Sequence, residues 1–219
     1  MQNWFSIDEG LDETLLSFDE YQRLKMVSDL INNFKKSGLK ILDVGGGVGN
    51  LEHFAPEHRV VVADKMTTGI DGTDLPYPDR DFDVSVSIDT LEHIPSKERK
   101  RFIEELIRVA KDRIYLAIPT KEAEEVERFI YELTKDPYLE EHIRHGLPDT
   151  KEVESYLQDR GLEYHTYKNG YLGSWFGMLL LRHFGPKDTL PFINRFFNRS
   201  FYEYDHSYPV YRIVFEIIK

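Results

Sequence analysis

Three consecutive glycines interrupt an apolar run in the segment ILDVGGGVGN, residues 41–50. Glycine is the costliest residue to order, so it is expected where the backbone turns sharply or where another group approaches it closely. The strand-like run before them predicts that Gly45, Gly47 and Gly49 form a turn at the carboxyl end of a buried strand. Ligands bind at such ends in open α/β sheets. A tight turn without any ligand would give the same pattern.

Short runs rich in Val and Ile alternate with amphipathic segments along most of the chain, a layout that predicts an α/β fold with a doubly wound, mostly parallel sheet. The predicted strands are LKILDVG, HRVVVADK, FDVSVSID, DRIYLAIP, EYHTYK and the closing YPVYRIVFEII, with a weak strand near GIDGTD. The amphipathic segments between them predict helices on both faces of this sheet.

Length and composition predict a single domain over residues 1–219. The absence of cysteine excludes disulfides and thiolate chemistry. A formal net charge of −11 disfavours binding to a nucleic-acid backbone. The acidic first 16 residues lack the features of a signal peptide, and no apolar run reaches membrane-spanning length. We therefore expect a cytoplasmic protein with no nucleic-acid partner and no transmembrane segment.

Charge near the glycine turn indicates which kind of ligand would bind there. The dinucleotide fingerprint would place a glycine at position 50, where this chain has Asn50. Carboxylates follow several predicted strands and would repel a pyrophosphate, whereas they suit a ligand with hydroxyl groups and a positive centre. These carboxylates belong to Asp43, Asp64, Asp74 and Asp89.

Four segments, in this order, resemble the motifs of class I S-adenosylmethionine-dependent methyltransferases, and most nearly the type 11 group. They are ILDVGGGVGNLE, VVVADK, GTDLPYPDRDFDVSVSIDTLEHIP and RIYLAIP. The similarity is close over residues 20–120 and looser elsewhere. It implies a Rossmann-like sheet of seven strands with the last strand antiparallel, S-adenosylmethionine as the cofactor, and methyl transfer as the reaction.

The resemblance also assigns residues to the cofactor. Those implied for its methionine and sulfonium end are Asp43, Gly45, Gly47, Gly49, Ile88 and Asp89. Those implied for its adenosine end are Asp64, which would accept the ribose hydroxyls, Lys65 beside the adenine, Asp74 for the adenine amine and the Leu75 amide for a ring nitrogen. Asp74 has an alternative role as a turn residue. Arg23 is a candidate to neutralise the cofactor carboxylate, or else a surface arginine of an amphipathic helix.

Three histidines are the candidate catalytic residues on the acceptor side: His93, His142 and His145. Histidine titrates in the useful range for a general base, although surface positions or a structural helix start would also explain them. No third ligand at suitable spacing accompanies His142 and His145, so no metal is predicted. The stretch IDTLEH replaces the N-P-P-Y-like tetrapeptide of enzymes that methylate base or amide nitrogen. We expect a small-molecule or metabolite acceptor, methylated at oxygen, with carbon or an amine remaining open.

Two other classes of protein stay open at this point. A cofactor-binding scaffold without turnover would keep the whole pocket, and a dinucleotide-dependent oxidoreductase would share the sheet and Asp64. Asn50 and the missing cation for a phosphate disfavour the second.

Residues 170–207, between the last two predicted strands, are unusually long for a connection and are predicted to form a helical insertion. Its GSWFGMLLLRHFG stretch is apolar nearly all round, so something must cover it. One interpretation is a second helix that packs on the first. Our preferred interpretation is a cap over an acceptor that is apolar or lipid-linked; a homodimer contact or a membrane surface would serve as well.

Overall fold

The structure is a computed structural model that describes residues 12–34 and 36–219. Most of the acidic segment behind the expectation of no signal peptide lies outside the described residues. A six-stranded sheet with the order β2-β1-β3-β4-β6-β5 forms the centre. Its strands are β1 (Lys40–Val44), β2 (Arg59–Ala63), β3 (Phe82–Ile88), β4 (Ala110–Pro119), β5 (Glu163–Tyr171) and β6 (Val210–Ile218).

The strand directions confirm a mostly parallel sheet with an antiparallel last strand. β1 runs parallel to β2 and β3, and β3 runs parallel to β4. β6 lies between β4 and β5 and is antiparallel to both. The carboxyl ends of β1, β2 and β3 therefore meet at one edge, where the glycine turn follows β1.

The weak strand predicted near GIDGTD is not formed, and the described residues contain six strands rather than seven. The side chain of Asp71 accepts hydrogen bonds from the Thr73 amide at 2.9 Å and its hydroxyl at 2.7 Å, which closes a turn. Gly69 has a φ of +73°, in the left-handed region. Local side-chain hydrogen bonds thus compete successfully with strand pairing here.

Helices cover both faces of the sheet, as predicted. They are α1 (Phe18–Asn33), α2 (Leu51–Phe54), α3 (Arg99–Val109), α4 (Glu124–Thr134), α5 (Pro137–His145), α6 (Thr150–Asp159), α7 (Leu172–Phe184) and α8 (Leu190–Ser200). Ile41 and Leu42 on β1 point to opposite faces because side chains alternate along a strand. Ile41 belongs to the same buried cluster as Ile31 of α1, and Leu42 belongs to the other buried cluster, which contains Phe102 of α3.

The helical insertion between β5 and β6 consists of α7 and α8. On α7, the buried side chains are Leu172, Trp175 and Met178. α8 packs against α1 and against the 3-10 turn that precedes α1, rather than along α7. The rings of Phe197 and Phe18 pack edge to face, with their centroids 5.3 Å apart. The interpretation in which the two helices cover each other is therefore wrong. None of the helices in the described part of the chain is long and apolar enough to cross a bilayer.

Candidate functional site

The glycine turn after β1 uses backbone conformations that favour glycine. Gly45, Gly47 and Gly49 have φ values of +80°, +56° and +87°. A side chain at Gly45 would collide with Thr90, whereas nothing lies within 4 Å of the Cβ position at Gly47. Space is therefore open on the Cβ side of Gly47, while its amide donates to Asp64 and its carbonyl accepts from the Thr67 hydroxyl at 2.7 Å.

Asp64, directly after β2, fastens this turn to the next loop. One of its carboxylate oxygens accepts from the Gly47 amide at 3.2 Å. The other accepts from the amides of Met66 at 2.8 Å and Thr67 at 2.9 Å. This carboxylate thus lies at the rim of the turn. The donors of a ligand bound there would replace these amides or bind Asp64 in addition to them.

Asp43 lies on β1 below the turn and is 3% exposed. Burial raises the pKa of its carboxyl group to about 7, and the negative charge of Asp64 adds to this rise. Arg23 opposes only part of the effect. A side chain at Gly46 would collide with the Asp43 carboxylate, so these two positions are packed together. Around neutral pH, the protonated and ionised forms of Asp43 are therefore both present.

The residues predicted for the adenine end hold protein partners. Lys65 lies 2.9 Å from Asp71. The Asp74 side chain is 82% exposed and lies 3.4 Å from Arg101. The Leu75 amide donates to the Glu105 carboxylate at 2.8 Å. The adenine roles of Lys65, Asp74 and Leu75 stay predictions.

Asp89 follows Ile88 at the end of β3, with a φ of +48°, and two arginines bind it. Arg23 Nη1 lies 2.9 Å from Asp89 Oδ2. Arg212 on β6 donates through Nε to Asp89 Oδ1 at 2.5 Å and through Nη2 to Oδ2. Burial alone would raise the pKa of Asp89, but Arg212 and Arg23 outweigh it and hold the pKa at about 2. Asp89 is thus a fixed anion.

Arg212 is a functional candidate that the sequence analysis missed. Its side chain is fully buried. Besides Asp89, it donates to Asn169 Oδ1 at 2.7 Å and to Asp19 Oδ1 at 2.8 Å. The feature of the sequence that could have indicated Arg212 is a single arginine within the mostly apolar strand VYRIVFEII, because a buried cation requires partners.

Two of the three candidate histidines come together beside Asp89. His93 ends a single 3-10 turn, Leu91–His93, and His142 lies on α5. Their Nε2 atoms are 3.3 Å apart. Each Nδ1 atom faces a carboxylate, Glu141 at 2.7 Å from His93 and Glu127 at 2.9 Å from His142.

The pKa values of the two rings move in opposite directions. Burial opposes a charge on His142, but Glu127 outweighs it and raises the pKa of His142 to about 9. Burial and the neighbouring His142 lower the pKa of His93. A charged His142 then donates from Nε2 to a neutral His93, which holds a proton between the rings.

Glu92 completes this cluster and was also missed from the sequence. The residue has no exposed surface, and neither of its carboxylate oxygens has a hydrogen-bond partner. Burial raises the pKa of Glu92 to about 8, and the charge of Asp89 adds to the rise. The signal for it is its place directly before His93. His145 is not part of the cluster; its carbonyl accepts from Arg99 at 3.3 Å.

The arrangement described so far, a glycine turn and carboxylates at the strand ends of a mostly parallel sheet, is that of the Rossmann-like class of folds, which includes methyltransferases. A family model described as a methyltransferase domain matches residues 18–167. The chain belongs to this methyltransferase family. It is accordingly an enzyme that uses S-adenosylmethionine.

Solved structures share the fold at low sequence identity. Magnesium protoporphyrin IX methyltransferase from Synechocystis, with S-adenosylhomocysteine bound, is 17% identical with a TM-score of 0.57, over 92% of this chain and 84% of that one. The plantazolicin methyltransferase, also with S-adenosylhomocysteine bound, is 14% identical with a TM-score of 0.58, over 93% and 85%. A methyltransferase from Aquifex aeolicus is 18% identical with a TM-score of 0.51, over 95% and 98%. No curated protein matches the chain significantly.

Proposed function

We propose that the enzyme transfers a methyl group from S-adenosylmethionine to a hydroxyl oxygen of a small-molecule or metabolite acceptor. One observation carries the proposal. The glycine turn, the Asp64 carboxylate and His93 follow β1, β2 and β3 at the same edge of the sheet, and His142 of α5 joins His93 there. This edge is where such sheets bind ligands.

The chain's own residues would hold the cofactor by its polar groups. The backbone at Gly45, Gly47 and Gly49 admits the methionine part, and Asp64 accepts from the ribose hydroxyls. Asp89 and the Ile88 carbonyl face the methionine amino group. The adenine would lie beside Lys65, Asp74 and Leu75. The bound cofactor supplies an electrophilic methyl group on a positive sulfur, and the carboxylate of Asp43 stabilises that charge once it is ionised.

The cofactor carboxylate needs a cation, and two are present beside Asp89. Arg212 is fully buried, whereas the Arg23 side chain is 24% exposed. Arg212 is saturated by Asp89, Asn169 and Asp19, while Arg23 contacts Asp89 at 2.9 Å and Asp19 only at 3.7 Å. Arg23 therefore has donors to spare for the carboxylate, as the sequence analysis proposes.

On the acceptor side, His93 and His142 favour oxygen as the methylated atom. A hydroxyl group loses its proton when it is methylated, and the neutral His93 ring can take that proton through Nε2 if the acceptor hydroxyl displaces His142 from this nitrogen. His145 stays a candidate contact to the acceptor from the end of α5. An amine or carbon acceptor would use the same edge of the sheet.

An apolar groove between α4 and α7 supports an apolar acceptor and a capping role for residues 170–207. Val126 and Phe129 of α4 line it, together with Leu172 and Phe176 of α7 and Pro209. The two phenylalanine rings are 6.1 Å apart. An apolar or lipid-linked acceptor tail fits such a groove. A homodimer contact on the same surface and a cytoplasmic location remain predictions.

The cofactor site is tested with Asp64→Ala. We expect S-adenosylmethionine to bind about 1.5–3 kcal/mol more weakly, the range for lost hydrogen bonds to a charged group. The control is Asp112→Ala, which removes a carboxylate near the start of β4 that is paired with Lys36, at the other end of the sheet. Isothermal titration calorimetry measures both variants. Equal affinity of the Asp64 variant and the native protein would remove Asp64 from the site.

The histidines are tested by single Gln variants of His93, His142 and His145. At least one of them should lower turnover while leaving the affinity for the cofactor within a few-fold. His165→Gln is the control, because His165 on β5 is 55% exposed. Turnover is followed as formation of S-adenosylhomocysteine with candidate hydroxylated metabolites. If all three variants turn over normally on the true acceptor, positioning alone carries the reaction.

The groove is tested with Phe176→Ser. We expect a raised KM for an apolar acceptor and an unchanged affinity for S-adenosylmethionine. Phe184→Ser is the matched control, because Phe184 lies on the same helix, is 64% exposed and does not line the groove. Equal KM values in both variants would place the acceptor elsewhere.

A further inference from the structure

Glu92, His93 and His142 place three potential metal-ligand atoms within 4.8 Å of one another. Glu92 and His142 are buried, and His93 is partly buried. Two imidazole nitrogens and one carboxylate oxygen are a common donor set for a catalytic zinc ion, which keeps a further position open.

Among these three residues, Glu92 has the surroundings that most call for a ligand. It has no exposed surface, and both of its oxygens lack a hydrogen-bond partner. Buried polar groups in proteins almost always have a partner, and an ion is one of the explanations for an exception. In its ionised form this side chain would be a buried charge without a partner, and in its protonated form its O–H group would lack an acceptor, so both forms are unfavourable without a ligand.

The two histidines have the spacing that a tetrahedral metal requires. Zinc–nitrogen bonds of about 2.05 Å at a tetrahedral angle separate two ligand nitrogens by about 3.3 Å. The Nε2 atoms of His93 and His142 are 3.3 Å apart. The metal would take the place of the proton that otherwise lies between these rings.

The outer hydrogen bonds match those of metal-bound histidines, which usually donate their second ring nitrogen to a carboxylate. The Glu141 carboxylate is hydrogen-bonded to His93 Nδ1 at 2.7 Å, and the Glu127 carboxylate is hydrogen-bonded to His142 Nδ1 at 2.9 Å. Tyr211 fixes Glu127 through a hydrogen bond of 2.8 Å. Both histidines are thereby oriented with Nε2 toward the same point.

The Glu92–His93 turn is itself held in place. Arg99 Nε donates to the carbonyls of Leu91 and Ile94, both at 3.1 Å, on either side of the two ligands. The guanidinium group also donates to the Gly146 carbonyl, just after α5. Arg99 therefore connects the two segments that supply the ligands.

We propose that Glu92, His93 and His142 form a binding site for a divalent first-row transition metal, with zinc as the best match. The sequence alone predicts no metal, because its candidate pair was His142 and His145. The structure instead pairs His142 with His93 and adds Glu92.

The open position of the metal suits an oxygen ligand, either water or a hydroxyl group. If the acceptor is methylated at oxygen, a hydroxyl bound to the metal has a lowered pKa and is held in a fixed orientation. This use of the site rests on the proposed function; the metal site itself does not.

The test is a zinc titration of the full-length protein after removal of metal by dialysis against a chelator. Isothermal titration calorimetry, with neither cofactor nor acceptor present, should show one Zn²⁺ per chain for the native protein. Glu92→Gln should bind at least tenfold more weakly, and His142→Ala should lose the one-to-one binding. A separate titration with Mg²⁺ should show much weaker binding, because imidazole ligands favour zinc.

His165→Ala is the matched control and should bind zinc as the native protein does, since it removes an exposed histidine. Glu127→Gln keeps all three ligands and should weaken zinc binding tenfold or more through His142. Circular dichroism checks that each variant is folded. If Glu92→Gln or His142→Ala does not fold, Glu127→Gln provides the test in its place. Absence of one-to-one zinc binding in the native protein, or native affinity in the folded Glu92→Gln variant, would overturn the proposal. Neither result depends on methyl transfer.

Discussion

Asp43 and Asp89 are both buried acids at the edge of the sheet, but their surroundings make them opposites. Arg212 and Arg23 bind Asp89 directly, so it stays ionised. Asp43 is buried beside the negative charge of Asp64, and its pKa rises to about 7. One site thus contains a permanent anion and a carboxyl group that changes its charge near neutral pH.

Asp43→Asn should stabilise the cofactor-free protein at pH 8 and leave its stability unchanged near pH 3. The pKa of Asp43 is about 7 in the folded protein and 3.8 as the ordinary value. The folded state therefore binds the proton more tightly, and stability falls as the pH rises from about 4 to about 7. The gain at pH 8 is at most about 4 kcal/mol. Urea denaturation at several pH values measures it, and a difference that does not vary with pH would contradict the prediction.

Arg212→Met should cost about 3–5 kcal/mol of unfolding free energy, because it leaves buried Asp89 with one arginine fewer. Arg160→Met is the comparison. Its partner is Glu104 at 3.5 Å, and both side chains are about half exposed, so its loss should be within about 1 kcal/mol. Urea denaturation at pH 7 reports both values. Similar losses for the two variants would mean that Arg212 is better solvated than its burial indicates.

At the scale of single elements, the N-terminal cap of a helix affects how firmly the helix holds its functional residues. α5 has nine residues and carries His142. So short a helix depends on its ends and on its packing. The Asp136 side chain caps it by accepting from the Tyr138 amide at 3.0 Å.

Asp136→Ala should lower the unfolding free energy by about 0.5–2 kcal/mol, the usual loss for a cap. Asp149→Ala is the matched control, because Asp149 caps α6 in the same way through the Lys151 amide at 2.9 Å. Asp136→Ala should lose at least as much stability as Asp149→Ala, because Asp136 also lies 3.4 Å from His183 of α7. Only Asp136→Ala should reduce turnover, since only α5 carries His142. Equal turnover in the two variants would show that packing alone positions α5.

The elements that sequence patterns predicted correctly are those with strong local periodicity. β1 and β3 are buried apolar runs, and α3 has its apolar residues on one face. The prediction of a strand near GIDGTD was wrong because Asp71 and Gly69 favour a turn, and a pattern of apolar residues does not reveal this preference. The glycine turn was predictable because its conformations require glycine.

Contacts between residues far apart in the chain could not be predicted from one sequence. Arg212 and Asp89 are 123 positions apart, and His93 and His142 are 49 apart. Nothing in the spacing of either pair indicates that the fold joins them. The same holds for Glu92, whose importance follows from its burial and its missing partners.

At the scale of the whole molecule, the cofactor should act as a stabiliser of the folded enzyme. S-adenosylmethionine at 100 times its dissociation constant should raise the unfolding free energy by about 2.7 kcal/mol. For a protein of this size, that corresponds to a rise in melting temperature of roughly 5–10 °C. Differential scanning fluorimetry measures the shift. Asp64→Ala at the same cofactor concentration should show a smaller shift, and an equal shift would separate stabilisation from the predicted ribose contact.

The position of β6 in the sheet also determines when the site can form during synthesis. Asp89 leaves the ribosome 123 residues before Arg212, a delay of about 6–25 s at ordinary elongation rates. During that time β4 and β5 have no strand between them, and Asp89 lacks its principal partner. The nascent chain is therefore expected to acquire its affinity for S-adenosylmethionine only after β6 has emerged, so that translation speed, rather than folding of the first half, sets the earliest moment at which the enzyme binds its cofactor.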